Sequence, residues 1–103
     1  MIFLKPPSTL LQSPSWNARI KCPIPSNRGQ VHYECELVFK LDSHAKPIAA
    51  TIGIDLTLRT LQAELKKKAH PWTLSKVFHN SAIIGPWREL EYAKDSFFLD
   101  LNG

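Results

Sequence analysis

One eleven-residue segment, VHYECELVFKL at positions 31–41, constrains the fold more than any other part of the chain. Its apolar residues alternate with polar ones, and successive side chains of a β-strand point to opposite faces of a sheet. The alternation therefore predicts a long strand with one apolar face. That face consists of Tyr33, Cys35, Leu37, Phe39 and Leu41. The opposite face carries His32, Glu34, Glu36, Val38 and Lys40.

Glu34 and Glu36 share one face of this strand, although carboxylates are depleted in strands and neighbouring like charges repel. Two explanations are open at this point. Either water screens the two side chains, with Lys40 or Arg19 paired to them, or another positive group belongs between them. The alternation by itself is compatible with both explanations.

Length and composition indicate one small soluble domain. The chain has 103 residues, of which 44% are hydrophobic and 21% are charged, so we expect a folded domain rather than a disordered chain. The net charge is +4, but the only basic run is Lys66-Lys67-Lys68. This run falls at a predicted helix C-terminus, where cations are favourable. We therefore expect no nucleic-acid partner.

The chain shows no targeting or membrane segment. Its apolar start, residues 1–4, is too short for a signal peptide, and no other segment approaches the length of a membrane span. The two cysteines, Cys22 and Cys35, lack the spacing of zinc ligands, and Cys35 is expected to be a small buried apolar residue. These features predict a cytoplasmic protein without a membrane partner.

Apart from the long strand, the first half of the chain predicts short β elements. Residues 2–4 and 19–23 are expected to form two short strands, separated by a Ser- and Pro-rich loop at 8–18. The apolar, β-prone residues 48–54 predict a buried strand.

The second half predicts one helix. Thr57 is a good N-cap, leucines recur behind it at helical spacing, and the helix ends at the lysine run before Pro71. The segment that follows is expected to be irregular, with Ile83 and Ile84 in a short strand. Residues 97–101 predict a final strand, and the Asn-Gly pair after it is typical of a hairpin turn without its return strand. We therefore expect these residues to be part of a larger domain.

Five segments together resemble the central part of the fumarylacetoacetate hydrolase family. They are FLKPPST (3–9), HYECELV (32–38), IGIDLTLRTLQAELKKK (52–68), PWTLSKVF (71–78) and GPW (85–87), in the order and spacing of the family. The resemblance implies an α+β fold, a β-rich mixed-sheet roll that is incomplete and has one short helix. Residues 1–103 are then a single partial catalytic domain. Two departures from the family pattern are Thr60, where an acidic residue is common, and Ala69, where a glycine usually ends the helix.

The resemblance assigns the two glutamates to a metal site. In this family, the glutamates of the Glu-x-Glu strand and the aspartate after the next strand bind one divalent cation, and the matching residues are Glu34, Glu36 and Asp55. Three carboxylates without imidazole or thiolate favour a hard cation that keeps several waters. The implied cofactor is Mg2+, with Mn2+ or Ca2+ as alternatives.

Three further residues take roles from the resemblance. Arg59 and Gln62 are three apart on the predicted helix and share a face. They match the substrate site of the family, where a guanidinium can hold a carboxylate. Lys76 matches a lysine beside the metal, where a cation stabilises an enolate that develops on a 2-oxo acid. Without the motifs, each would be interpreted as an ordinary exposed residue.

The implied function is that of a cytoplasmic, metal-dependent hydrolase or decarboxylase/isomerase. Its substrates would be acylpyruvate-like or oxaloacetate-like 2-oxo acids, cleaved or rearranged at a carbon–carbon bond, and the implied assembly is a homo-oligomer, most simply a dimer. Family members also carry a histidine and a glutamate on a lid upstream of FLKP and a Thr-Gly-Thr-Pro-like motif downstream, neither of which is in this sequence. The alternative hypothesis is therefore an inactive remnant or split-gene piece that retains the metal-binding core. We expect weak hydrolysis from these residues alone.

Overall fold

Within residues 2–89 and 100, which the computed structural model describes, the chain forms a mixed five-stranded sheet and two short helices. The strands are β1 (Leu10–Gln12), β2 (Val31–Leu41), β3 (Pro47–Leu58), β4 (Ala82–Ile84) and β5 (Arg88–Glu89). The helices are α1 (Arg59–Lys67) and α2 (Thr73–Lys76), and a 3₁₀ turn at Pro7–Thr9 precedes β1. Neither of these helices is long and apolar enough to cross a bilayer.

β2 and β3 pair along most of their length as a long antiparallel ribbon. The strand order is β1-β4-β3-β2, with β1 parallel to β4, while β5 pairs with β3 near its start. The register aligns Glu34 with Asp55 and Glu36 with Gly53. Because directly opposed residues point to the same face of a sheet, the Asp55 carboxylate shares a face with both glutamates.

The predictions of the long strand β2 and of a strand at Ile83 and Ile84 are confirmed, whereas the short elements near the N-terminus differ. Residues 2–4 and 19–23 form no strand, and three residues of the predicted loop at 8–18 form β1. β1 exists because its backbone pairs with β4, a partner distant in sequence that local composition does not reveal. The strand predicted at 97–101 lies outside the described residues, apart from Asp100.

β3 ends later than the sequence indicates, and the helix begins later. β3 continues through Leu58, so Asp55 lies within the strand rather than after it. The prediction of Thr57 as N-cap is wrong, because α1 begins at Arg59 and the Thr57 hydroxyl accepts a hydrogen bond from Lys76 Nζ. Part of the segment predicted to be irregular forms α2, so the described residues contain two helices rather than one.

The apolar face of β2 is not covered by the described residues. Tyr33, Leu37, Phe39 and Leu41 expose between 43% and 52% of their surface. Cys35 is only half-buried, so its predicted burial is not found in the described part of the chain. Many of the buried side chains are instead polar. They include Thr51, Asp55, Thr57, Gln62, Ser75, Lys76 and Ser81.

α1 ends in a turn that favours glycine. The N–H of Ala69 donates to the carbonyl of Lys66, and the N–H of His70 donates to the carbonyl of Leu65, which is the pattern of a Schellman motif. Ala69 has a φ of 52°, in the left-handed region that side chains disfavour. A glycine, as in the family pattern, would meet the same geometry without that cost.

We expect Ala69→Gly to raise the free energy of unfolding by about 0.5–1 kcal/mol, because glycine adopts the left-handed region without a Cβ penalty. The matched control is Ala63→Gly on the exposed side of α1, which should lower the same free energy by about 1 kcal/mol. Urea denaturation of the wild type and both variants measures the two effects. Equal destabilisation of both variants would contradict a strained turn at Ala69.

Candidate metal centre

Three carboxylates converge on one face of the β2–β3 ribbon. Glu34, Glu36 and Asp55 each offer one oxygen, and these oxygens lie within 4.8 Å of one another. The convergence follows from the sequence, because residues two apart on a strand share a face and the register aligns Asp55 with Glu34. Gly53 faces Glu36 across the ribbon and brings no side chain to this place. A Cβ at Gly53 would lie 2.8 Å from Val38 Cγ2.

Two lysines contact Asp55, one at each carboxylate oxygen. Lys5 Nζ lies 2.7 Å from Oδ1, and Lys76 Nζ donates to Oδ2 at 2.6 Å. The Asp55 and Lys76 side chains are each 3% exposed, and that of Lys5 is 12% exposed. Lys76 Nζ also donates to Thr57 Oγ1 at 2.6 Å and to Glu34 Oε2 at 3.2 Å. Lys76 therefore links two of the three carboxylates.

Lys5 is anchored by backbone carbonyls as well as by charge. Its Nζ donates hydrogen bonds to the carbonyl oxygens of Leu56, Lys76 and Ser81, at 3.1, 2.6 and 2.8 Å. Asp55 Oδ1 is a fourth partner of the same ammonium group, at 2.7 Å. Burial lowers the pKa of the Lys5 ammonium group, and its contact with Asp55 opposes that shift. Asp55 Oδ1 is thus a buried carboxylate oxygen whose partner among the described residues is the Lys5 ammonium group.

Arg59 and Gln62 lie at the start of α1 and contact each other. Arg59 Nη1 donates to Gln62 Oε1 at 2.7 Å and lies 3.9 Å from Glu34 Oε1. Gln62 is buried, whereas Arg59 is partly exposed. Gln62 is therefore not an ordinary exposed helix residue. It is buried, and its amide oxygen fixes the Arg59 guanidinium next to the carboxylate cluster.

Glu36 differs from the other two carboxylates in its electrostatics. Within residues 2–89 and 100, no lysine or arginine lies within 4.0 Å of its carboxylate, so the pairing with Lys40 or Arg19 is not found. Glu36 is exposed, yet partial desolvation raises the pKa of its carboxyl and the carboxylates of Asp55 and Glu34 raise it further, while the ammonium groups of Lys76 and Lys5 oppose the shift. Glu36 thus lies where an additional positive charge is favourable.

The donor set fits a hard divalent cation. It offers only carboxylate oxygens, which Mg2+, Mn2+ and Ca2+ accept, and no imidazole or thiolate among the grouped ligands. One of these oxygens, Asp55 Oδ1, is buried and contacts Lys5 Nζ at 2.7 Å without well-aligned hydrogen-bond geometry. Glu36 is the second indication, because its carboxylate forms no short ion pair with a lysine or arginine of residues 2–89 and 100.

All six predicted site residues lie in one region of the structure. Two further residues, which were not predicted from the sequence, contact them. Lys5 contacts Asp55, and Thr57 contacts Lys76. The signal for Lys5 is its place in FLKPPST, the first of the family segments. Thr57 lies two residues after Asp55 and therefore shares its face of β3.

Fold and site together define a candidate metal centre, in which three carboxylates on a mixed sheet are supported by buried lysines. The chain belongs to the fumarylacetoacetate hydrolase family, since the family model described as fumarylacetoacetate (FAA) hydrolase C-terminal matches residues 1–97. The predicted family and the predicted fold class are confirmed, because the mixed sheet with few helices matches solved structures of this family. Characterised members of the family are enzymes.

Similar proteins include curated sequences and solved structures. An uncharacterised protein of Pyrococcus abyssi is 40% identical, over all of this chain and 50% of that protein. Oxaloacetate tautomerase YcgM of Escherichia coli is 34% identical, over 79% of this chain and 39% of that protein. The crystal structure of fumarylpyruvate hydrolase from Pseudomonas aeruginosa, in complex with Mn2+ and pyruvate, matches with a TM-score of 0.75 and 28% identity. That match covers 82% of this chain and 40% of the hydrolase. The chain thus spans about half the length, or less, of these proteins.

We expect Asp55→Asn to lower the free energy of unfolding in metal-free buffer by about 3–5 kcal/mol, because it removes the carboxylate partner of Lys5 and the closer of the two carboxylate partners of Lys76. The matched control is Asp42→Asn in the turn before β3, where Asp42 Oδ1 accepts hydrogen bonds from the N–H groups of His44 and Lys46. Asparagine keeps that acceptor, so the loss should stay below about 1 kcal/mol. Urea denaturation compares the two, and equal losses would speak against a buried charge cluster.

Proposed function

We propose that the chain is the metal-binding part of an enzyme that acts on enolisable 2-oxo acids of the oxaloacetate and acylpyruvate classes. The observation that carries this proposal is the carboxylate cluster with the Lys76 ammonium group joined to two of its members. The family supports it, because its members include proteins named oxaloacetate tautomerase and fumarylpyruvate hydrolase. Residues 1–103 are then a partial catalytic domain, and the cytoplasmic location and the dimer stay predictions.

The metal ligands in this proposal are Glu34, Glu36 and Asp55. When bound there, a divalent cation would supply Lewis-acid polarisation of the oxygens of a 2-oxo acid. Mg2+ is the proposed physiological ion because all three ligands are hard oxygen donors, and Mn2+ binds to the same kind of donor. The P. aeruginosa relative, solved with Mn2+, supports a divalent ion.

Lys76 is the proposed electrostatic stabiliser. Loss of a proton from the carbon next to a 2-oxo group, or loss of a carboxylate from that carbon, leaves negative charge on the 2-oxo oxygen. The Lys76 ammonium group is fixed by Glu34, Asp55 and Thr57, so it offers positive charge without first having to reorganise. The centroid of the Phe3 ring lies 4.5 Å from Lys76 Nζ, which adds a cation–π contact to the ammonium group.

Arg59 is the proposed group for a substrate carboxylate. Its guanidinium presents several N–H donors in a planar fork, which suits two-point binding of a carboxylate. Gln62 holds one edge of the guanidinium through the hydrogen bond to Nη1, while the partial exposure of Arg59 leaves other donors accessible. Gln62 thus acts on substrate through the orientation of Arg59.

Tautomerisation or decarboxylation suits the described residues better than hydrolysis does. Both reactions pass through an enolate, which the Lys76 ammonium group can stabilise; in tautomerisation water takes the proton from the carbon and returns one to the oxygen, and in decarboxylation the carboxylate leaves as CO2. Hydrolysis needs an activated water in addition, and general acid–base catalysis of such a step contributes about 10²–10⁴-fold. Keto–enol tautomerisation of oxaloacetate is therefore the first activity to test. Hydrolysis of an acylpyruvate is the second, which the likeness to fumarylpyruvate hydrolase favours.

We expect Glu36→Gln to remove most of the Mn2+-dependent rise in melting temperature, because a neutral amide is a poor ligand for a hard cation and ligand binding stabilises by mass action. Glu36 is the sharpest choice of the three ligands, since its replacement breaks no ion pair among the described residues. The control Glu64→Gln, on the exposed side of α1, should keep the wild-type response. A wild-type response in Glu36→Gln would count against the site.

We expect Lys76→Met to slow metal-dependent tautomerisation of oxaloacetate by about a hundredfold or more while Mn2+ binding persists, because the variant loses an electrostatic stabiliser. The decay of enol absorbance at saturating Mn2+ gives the rate, and calorimetry gives the dissociation constant. The control Lys67→Met, at the exposed end of α1, should behave as wild type.

Near-normal turnover by Lys76→Met would make that residue dispensable. A wild-type chain that binds Mn2+ but does not accelerate tautomerisation or acylpyruvate hydrolysis would favour the alternative hypothesis of an inactive, metal-binding remnant.

A further inference from the structure

We propose that Lys5 is a positioning residue of the metal centre: its ammonium group holds the Asp55 carboxylate and the backbone that carries Lys76 in one fixed geometry. This inference rests on the proposed metal site and deepens it, because it gives a role to a residue that is neither a ligand nor a substrate contact.

Lys5 joins three segments that are far apart in the sequence. Its three carbonyl acceptors belong to Leu56 in β3, to Lys76 at the end of α2, and to Ser81 just before β4. Lys5 and these acceptors are separated by 51, 71 and 76 residues. A single ammonium group therefore cross-links the strand that carries Asp55 to the helix that carries Lys76.

The contacts among these groups form a closed ring. Lys5 Nζ donates to the Lys76 carbonyl, Lys76 Nζ donates to Asp55 Oδ2, and Asp55 Oδ1 lies against Lys5 Nζ. Each member is thereby held at two points, which restricts both the rotamer of the carboxylate and the position of the Lys76 side chain. Lys5 Nζ thereby has four oxygen neighbours, the three carbonyls and Asp55 Oδ1, the last in a charged contact at 2.7 Å.

The backbone at the far side of the ring is held by further hydrogen bonds. The Ser81 hydroxyl donates to the Lys76 carbonyl at 3.0 Å, and the Leu56 N–H donates to the Ser81 carbonyl at 2.9 Å. Two of the three acceptors of Lys5 thus have a second donor. The ring is built on a rigid frame, and Lys5 completes it.

Lys5 could act on the metal site through its positive charge alone or by positioning Asp55, and these two roles predict opposite effects of removing Lys5 on metal affinity. If Lys5 acted only as a positive charge, it would repel a divalent cation at Asp55, and removing that charge would tighten metal binding. If Lys5 positions Asp55, removing it would weaken binding, as replacing the hydrogen-bond partners of metal ligands does by about 10- to 100-fold. The sign of the change therefore distinguishes the two roles.

The test is calorimetric titration of Mn2+ into the full chain and its Lys5→Met variant, which has a side chain of similar length without the charge. We expect a dissociation constant about 10- to 100-fold larger for the variant. The control Lys46→Met, in the turn before β3, makes the same chemical change at an exposed lysine and should bind as wild type. Unchanged or tighter binding by Lys5→Met would overturn the role of Lys5. Absence of binding by the wild type would instead contradict the proposed metal site.

Two further readouts separate positioning from general stability. The electron paramagnetic resonance spectrum of bound Mn2+ should differ between wild type and Lys5→Met at saturation, since it reports the symmetry of the ligand set. Lys5→Arg keeps the charge, but a planar guanidinium cannot direct three protons from one atom to three carbonyls. We expect Lys5→Arg to remain at least about tenfold weaker than wild type. Wild-type affinity in Lys5→Arg, or an unchanged spectrum in Lys5→Met, would overturn the proposal.

If Lys5→Met does not fold, the wild-type chain with isotope-labelled lysine gives the same answer by nuclear magnetic resonance. The Lys5 ammonium signal should be protected from exchange with water and should shift when Mg2+ saturates the site, while that of Lys46 should not. A Lys5 signal that is insensitive to saturating Mg2+ would overturn the proposal.

Discussion

The Asp55 carboxylate, buried between the ammonium groups of Lys5 and Lys76, is the interaction on which the rest of the described structure depends. Burying three charges is costly, and their mutual attraction compensates only when the remaining protons and lone pairs also find partners. The carbonyl acceptors of Lys5 and the Thr57 hydroxyl provide those partners. The same contacts dock α2, a four-residue helix too short to be stable alone. The polar centre therefore supports the fold as well as the proposed chemistry.

Under the proposed function, the balance of charge in this centre favours a dianionic substrate. The three carboxylates are matched in formal charge by Lys5, Lys76 and Arg59, all of which contact the cluster. A divalent cation at the cluster would leave two positive charges in excess. A 2-oxo acid with two carboxylates, such as oxaloacetate, would restore neutrality in a partly buried place where uncompensated charge is costly. This balance is a physical reason to test diacids before monoacids.

Periodicity could predict the parts of the fold that depend on local alternation. β2 and the shared face of Glu34 and Glu36 follow from the pattern at 31–41. The alternation of β3 also continues through Leu58, so a pattern for the whole of β3 was present, but Thr57 also satisfies the local preference of a helix N-cap. Strand pairing with β2 overrides that preference. β1 and the Lys5 contacts depend on partners more than fifty residues away, which no local pattern contains.

The two faces of β2 carry different kinds of side chain, and the register of the β2–β3 ribbon decides which face is turned to the lysines. One face carries Glu34 and Glu36, and the other carries apolar side chains that the described residues leave exposed. A slip of one residue would turn the glutamates to the apolar side and bring Tyr33 and Cys35 to the lysines. The pairing of Glu34 with Asp55 is compatible with only one register, and the ion pairs of Lys76 with both carboxylates favour that register. The carboxylate cluster is thus a constraint on strand pairing even before any cation binds.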